Sequence, residues 1–223
     1  MKLKLYHARW SLCSQMVRVA MAEKGLSYES KPIKLCDQYP EAENLSLEYL
    51  AVNPKGIVPS LEIDGEIVTE STNIIKRLNE LSGEIDVDLW PDDVDQDLLN
   101  AWVADTTLTD GVPLGKTLGT AIPPFSIILI NFMVKKYLSF FQAIKVYWKH
   151  PLRDRGRFFL IMKFFNIQKP VAESCYKVLV NSLLDIEKHL KKSGPFFLGK
   201  FTHIDINLCL LYTSDAADEQ QRG

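Results

Sequence analysis

The sequence predicts an α/β N-terminal part followed by an all-α C-terminal part. Three observations carry this. Up to Leu81, apolar runs of strand length alternate with longer amphipathic runs. An acidic stretch with Gly83 and Pro91, Ser82–Asp97, then reads as a linker. Beyond it the strand signals stop and only helical spacing remains.

The elements follow in order. Leu3–Tyr6 is a short buried strand. Ser11–Lys24 is a helix, with Val17, Ala20 and Met21 on one face and Gly25 as its stop. Ser27–Lys34 is a second strand, and polar Pro40–Leu50 a helix or a loop. Asn53-Pro54-Lys55-Gly56 is a turn. Val58–Ile63, Asp64-Gly65 and Glu66–Val68 form a hairpin. Ser71–Leu81 is a helix carrying Ile74, Leu78 and Leu81 on one side. The order is β-α-β, then β-β-α. In the second half, Leu98–Thr107, Phe132–Lys149 and Val171–Lys192 read as helices, the last from Tyr176, Leu179, Leu183, Ile186 and Leu190. Ser193-Gly194-Pro195 stops it. Thr202 to Asp205 opens another helix as a capping-box-like motif, with Asp205 where Glu is commoner.

Composition narrows the function. Of 223 residues, 47% are hydrophobic and 24% charged, which supports a packed core and opposes disorder. A net charge of -2 opposes general nucleic-acid binding, which needs a basic excess. Cys13, Cys36, Cys175 and Cys209 are widely spaced, without zinc-type pairs, so no metal is expected. The start MKLKLYHARW lacks an apolar signal core, and a reducing, cytoplasmic setting is expected. The apolar run Phe125–Val134 is about half of the ~20 residues a membrane span needs, so it reads as a bundle helix rather than a transmembrane segment. Lys145–Lys163 mixes basic and aromatic residues. It reads first as a solvated helix face with its apolar side inward, and second as a contact for nucleic acid or an acidic membrane.

Three segments carry candidate chemistry. Ser11-Leu12-Cys13-Ser14 lies between the first strand and the first helix, where backbone N–H groups and partial positive charge stabilise a thiolate. That thiolate is either Cys13 itself or a bound thiol held by Ser11. The plainer alternative is that Ser11 only caps the helix and Cys13 only packs. Val58-Pro59 opens a strand after a Gly turn, and a cis bond there leaves the Val58 backbone N–H and C=O to grip a peptide-like ligand. Glu70 and Ser71 open a helix and suit the amino and carboxylate ends of an α-amino acid; a simple N-cap is the alternative.

Together LYHARWSLCSQMVRVAMAEKGL and NPKGIVPSLEIDGEIVTES resemble the glutathione transferase superfamily, most closely its zeta and tetrachlorohydroquinone-dehalogenase-like branch. The resemblance is strong to Leu81 and weaker to Leu208. It implies a thioredoxin-like domain over residues 1–82, a linker over 83–97 and a helical-bundle domain over 98–208. It implies a homodimeric, cytoplasmic detoxification enzyme that takes glutathione and a small electrophile, with isomerase or reductive dehalogenase chemistry as variants. Ser11 matches the serine that hydrogen-bonds the glutathione sulfur, and Cys13 the cysteine some relatives use in thiol–disulfide steps. Val58 and Pro59 match the cysteinyl contact, and Glu70 and Ser71 the γ-glutamyl contact. Ile57 departs from the Gln or Lys common before Val-Pro. It cannot pair with the glycyl carboxylate, and His7 and Lys34 are the substitutes on offer. Trp10, Trp102, Asp105 and Tyr137 are candidate lining for the electrophile. A non-catalytic binding or adaptor module and a Cys13-dependent thiol oxidoreductase are the two alternatives.

The energetics suit an activated thiol. Lowering a thiol pKa from about 8.5 by about two units needs ~2.7 kcal/mol. A charge-assisted hydrogen bond supplies about 1.5–3 kcal/mol, and a helix start adds less. Finally, Cys209–Glu219, CLLYTSDAADE, resembles the translation of a transposase adapter, so residues 209–223 are expected to be non-native and the helical domain cut short.

Overall fold

The computed structural model describes residues 1–109, 111–123, 138–165 and 169–213. The N-terminal half has β1 (Leu3–His7), α1 (Leu12–Glu23), β2 (Glu29–Pro32), a single 3-10 turn (Glu43–Leu45), α2 (Leu47–Val52), β3 (Ser60–Ile63), β4 (Glu66–Thr69) and α3 (Ser71–Asn79). The sheet order is β2-β1-β3-β4, with β1 parallel to β2 and antiparallel to β3, and β3 antiparallel to β4. The expected β-α-β and β-β-α order holds, with the region Pro40–Leu50 resolving into the 3-10 turn and α2. β3 begins at Ser60 rather than Val58, since Pro59 has no N–H to donate to a ladder. The hairpin corner has φ of 48° at Asp64 and 94° at Gly65, the left-handed pair that a two-residue turn needs. Leu5, Met16, Val17, Leu61, Ile74 and Leu78 form the centre of the core, each fully shielded from solvent.

Residues 82–95, most of the expected linker, are irregular but tightly fastened; the last two residues of that linker already belong to the next helix. Lys24, only 4% exposed, sends its ammonium to the Val87 carbonyl at 2.9 Å and the Asn79 carbonyl at 3.4 Å. Asn79 Oδ1 accepts the Leu89 N–H at 2.7 Å, and the Leu89 carbonyl accepts the His203 N–H at 3.1 Å. A buried ammonium is tolerable only with such acceptors.

The second half contains α4 (Gln96–Thr106), α5 (Leu118–Ala121), α6 (Phe140–Trp148), α7 (Arg153–Phe164), α8 (Lys169–Ser193) and α9 (His203–Thr213). α9 packs on both α1 and α4 and so joins the two halves; α5 packs on α8 and α6 on α7. The Thr202–Asp205 cap forms as the sequence suggests. The Asp205 carboxylate accepts the Thr202 N–H at 2.8 Å and, with its other oxygen, the Phe197 N–H at 2.8 Å. The helix expected over Phe132–Lys149 is present from Phe140; Phe125–Val134 lies outside the described residues. Pro151 lies in the break that separates α6 from α7, so Lys145–Lys163 is a helical hairpin and not one face. α9 continues through Thr213 with Leu211 buried, so Cys209–Thr213, where the adapter-like run starts, is helical.

Candidate functional site

One row of the sheet fixes the site. Tyr6 of β1 faces Ser60 of β3, and Ser60 faces Thr69 of β4. The end of β1, the start of β3 and the end of β4 therefore share one edge of the sheet. The loop to Ser11, the Val58-Pro59 pair and the Glu70–Ser71 corner all leave from that edge. The sequence segments singled out for chemistry are thus brought together by register alone.

Ser11 is the N-cap of α1. Its Oγ accepts the Ser14 N–H at 3.3 Å, which leaves its own hydroxyl hydrogen to donate outward. Capping and sulfur binding are therefore compatible roles for one side chain. Cys13 is half-buried in the first turn of α1 and forms no disulfide. Ser14 is buried and braces the approach loop by accepting the Ala8 N–H at 3.3 Å. Trp10, 38% exposed, stands beside Ser11 in the same loop.

Val58-Pro59 is cis. Neither the N–H nor the C=O of Val58 has a partner among the described residues. The segment before it is held by side chains that sequence reasoning missed. Asn53, 1% exposed, donates to the Ile57 carbonyl at 2.9 Å and to Ser60 Oγ at 3.1 Å, while its Oδ1 accepts the Lys55 N–H at 3.1 Å. Tyr49 OH donates to the same Ile57 carbonyl at 2.6 Å, and burial pushes its pKa up to about 12. Asn44 bridges the Gly56 carbonyl and the Cys36 N–H, each at 2.8 Å. The Asn-Pro turn marked the place, but no periodicity reveals that these amides point inward.

Glu70 has φ 68° and ψ 124°, a conformation that disfavours any residue with a Cβ. Its carboxylate pairs with Lys55 at 2.6 Å, both side chains being partly exposed. Ser71 is 5% exposed at the first position of α3. Of the two substitutes for Ile57, Lys34 is committed to Glu41 at 2.6 Å. His7 is 7% exposed, bound through Nε2 to Ser30 Oγ at 2.7 Å, and its pKa is lowered by burial and then by Arg18. Neither faces a ligand with an unengaged charge.

For the electrophile side, Thr72 and Thr107 hydroxyls meet at 3.3 Å, tying the end of α4 to the start of α3. Asp105, near that end, is half-buried, and burial raises its pKa. Trp102 packs against the bundle, its ring tilted 4.6 Å from Phe197 and edge-on 5.9 Å from His189. Tyr137 lies outside the described residues.

Residues 10–81 match the family model of the glutathione S-transferase N-terminal domain. The chain is 43% identical over 79 residues to a maleylacetoacetate isomerase of Pseudomonas aeruginosa, covering 35% of this chain and 36% of that protein. It is 36% identical over 114 residues to a zeta-class glutathione S-transferase of Euphorbia esula, covering 51% of this chain and 48% of that protein. The matched stretches span less than half the length of these two relatives. Among solved structures, the beta-etherase LigF of Sphingobium sp. strain SYK-6 superposes with a TM-score of 0.79 at 20% identity, over 96% of this chain and 83% of that one. Residues 10–81 thus match the glutathione S-transferase N-terminal domain, and the fold is shared with solved glutathione S-transferases, one of which superposes with a TM-score of 0.66 at 20% identity.

Proposed function

We propose that the chain is a glutathione-dependent transferase. The observation that supports this best is the shared Tyr6–Ser60–Thr69 end of the sheet, from which the loop to the capped start of α1, the Val58-Pro59 pair and the Glu70–Ser71 corner all leave. The residues suit the tripeptide. The Val58 N–H and C=O match the cysteinyl peptide groups. Glu70 matches the γ-glutamyl ammonium, and Ser71 with the α3 start matches its carboxylate. The Ser11 hydroxyl then donates to the sulfur and favours the thiolate. The thiol proton leaves to solvent, the sulfur lone pair forms a bond to an electrophilic carbon, and the leaving group departs with its electron pair. Reversible addition to a double bond, as an isomerisation requires, uses the same thiolate. Trp10 and Asp105 are the proposed contacts of the electrophile.

The half-buried Cys13 supports a second reading, in which it resolves a mixed disulfide in a reductive cycle. The resemblance further implies a homodimeric, cytoplasmic detoxification enzyme. Among the described residues no helix is long and apolar enough to cross a membrane.

The test is capture on immobilised glutathione, followed by conjugation of a model electrophile. Ser11→Ala is expected to lower the rate at least tenfold. Full activity in that variant removes Ser11 from the mechanism. Failure of the parent chain to bind glutathione leaves the non-catalytic binding module, for which Ile57 speaks.

A further inference from the structure

The α6–α7 hairpin carries a face that the proposed transferase function does not use. α6 turns Ala143 and Tyr147 inward against Phe159 and the Cys36 segment, and Tyr147 OH donates to the Cys36 carbonyl at 3.2 Å. α7 lies close on it. A Cβ at Gly156 would stand 2.3 Å from the Tyr147 carbonyl, so only glycine permits this approach. The inward side of the hairpin is thereby satisfied. Its outer side is not polar. Phe140, Ile144 and Trp148 repeat every fourth residue along α6 and are exposed together with Phe141; Ile161 and Phe164 continue the patch on α7. The Phe140 and Phe164 rings lie 5.2 Å apart, so the two helices share one apolar surface.

This surface stands out rather than folding into a groove, with Phe141 80% and Trp148 70% exposed. Cations surround it. Lys145, Lys149, Arg153 and Arg157 are exposed, against a single exposed carboxylate, Asp154, among the described side chains of the two helices. Arg153 lies over the Trp148 ring at 5.9 Å and donates to the Trp148 carbonyl at 2.9 Å. A second copy of the face would set these cations against each other, which opposes self-association. An anionic lipid surface takes both features at once. Its headgroups attract the basic rim, and its acyl boundary receives projecting aromatic side chains.

We propose that the α6–α7 face docks the protein peripherally on anionic membrane surfaces, with Phe141 and Trp148 entering the headgroup boundary and Lys145, Arg153 and Arg157 holding the anionic headgroups. The test is cosedimentation of the full chain with phosphatidylcholine vesicles, with and without phosphatidylserine, at low and high salt. Binding is expected only with phosphatidylserine, weakening with salt. It should fall at least tenfold in Phe141→Ser/Trp148→Ser and, separately, in Lys145→Gln/Arg157→Gln. Both pairs are exposed, and unchanged circular dichroism melts confirm folding. No binding to anionic vesicles, equal binding to neutral ones, or binding untouched by both variants overturns the proposal. So does a dimer in solution that Phe141→Ser/Trp148→Ser dissociates, since a second copy would then cover the face.

Discussion

Replacing Asn53 by alanine tests how the Val58-Pro59 loop, the proposed glutathione contact, is held. The substitution deletes three hydrogen bonds of a side chain 1% exposed: to the Ile57 carbonyl, to Ser60 Oγ and from the Lys55 N–H. At about 1 kcal/mol each, the loss is about 3 kcal/mol. Tyr49→Phe removes the 2.6 Å bond to the Ile57 carbonyl and the 3.2 Å bond with Ser60 Oγ but leaves the Asn53 amide on both, so it costs less, about 1–2 kcal/mol. In the double variant the Ile57 carbonyl loses both donors, and the two changes are expected to couple by about 0.5 kcal/mol or more. The slack is transmitted to Val58, so glutathione affinity should fall about tenfold in Asn53→Ala, or about 1.4 kcal/mol. Urea unfolding gives the stabilities and calorimetry the affinities. An Asn53→Ala loss below about 0.5 kcal/mol, the range of ordinary surface changes, refutes the reasoning.

Two further predictions concern strain and pH. Glu70→Gly relieves the 68° φ, so stability should rise by about 1 kcal/mol while glutathione binding is lost; a destabilised variant contradicts the strain argument. The Lys55 pair adds little to offset this, being partly exposed. His203, 1% exposed, has its pKa lowered to about 3, first by burial. It stays neutral in the folded chain while the unfolded chain takes up a proton below about 6.5, so stability falls as pH drops from about 6.5 toward 3. Each pH unit in that window costs about 1.4 kcal/mol, or about 2.7 kcal/mol by pH 4.5. Unfolding curves between pH 7 and 4.5 for the parent and His203→Phe should converge on acidification by about this amount.

The strands and helices of the N-terminal half were legible because their periodicities differ and because Gly25, Asp64-Gly65 and Ser71 punctuate them. The site was legible only in part. Ser11, Val58 and Glu70 lie far apart in sequence, and their meeting depends on the Tyr6–Ser60–Thr69 row. Asn44, Tyr49, Asn53 and the Lys55–Glu70 pair were invisible, because polar residues near turns read as solvated. Trp102 carries a contact the spacing does not reveal: its ring lies against Phe197, a residue the sequence places far along the chain. The α6–α7 hairpin misled for a similar reason. An apolar arc on α6 is ordinarily read as buried, and only contacts show that half of it faces outward.

The thiol proposed to be activated at the start of α1 is that of bound glutathione, and its ionisation reports on the activation most directly. Ultraviolet thiolate absorbance of the complex, followed against pH, should titrate about two units below the ordinary 8.5 and move back up toward it in Ser11→Ala. A bound thiol that titrates near 8.5 in the parent chain, or a lowered value that Ser11→Ala leaves in place, would contradict the assignment.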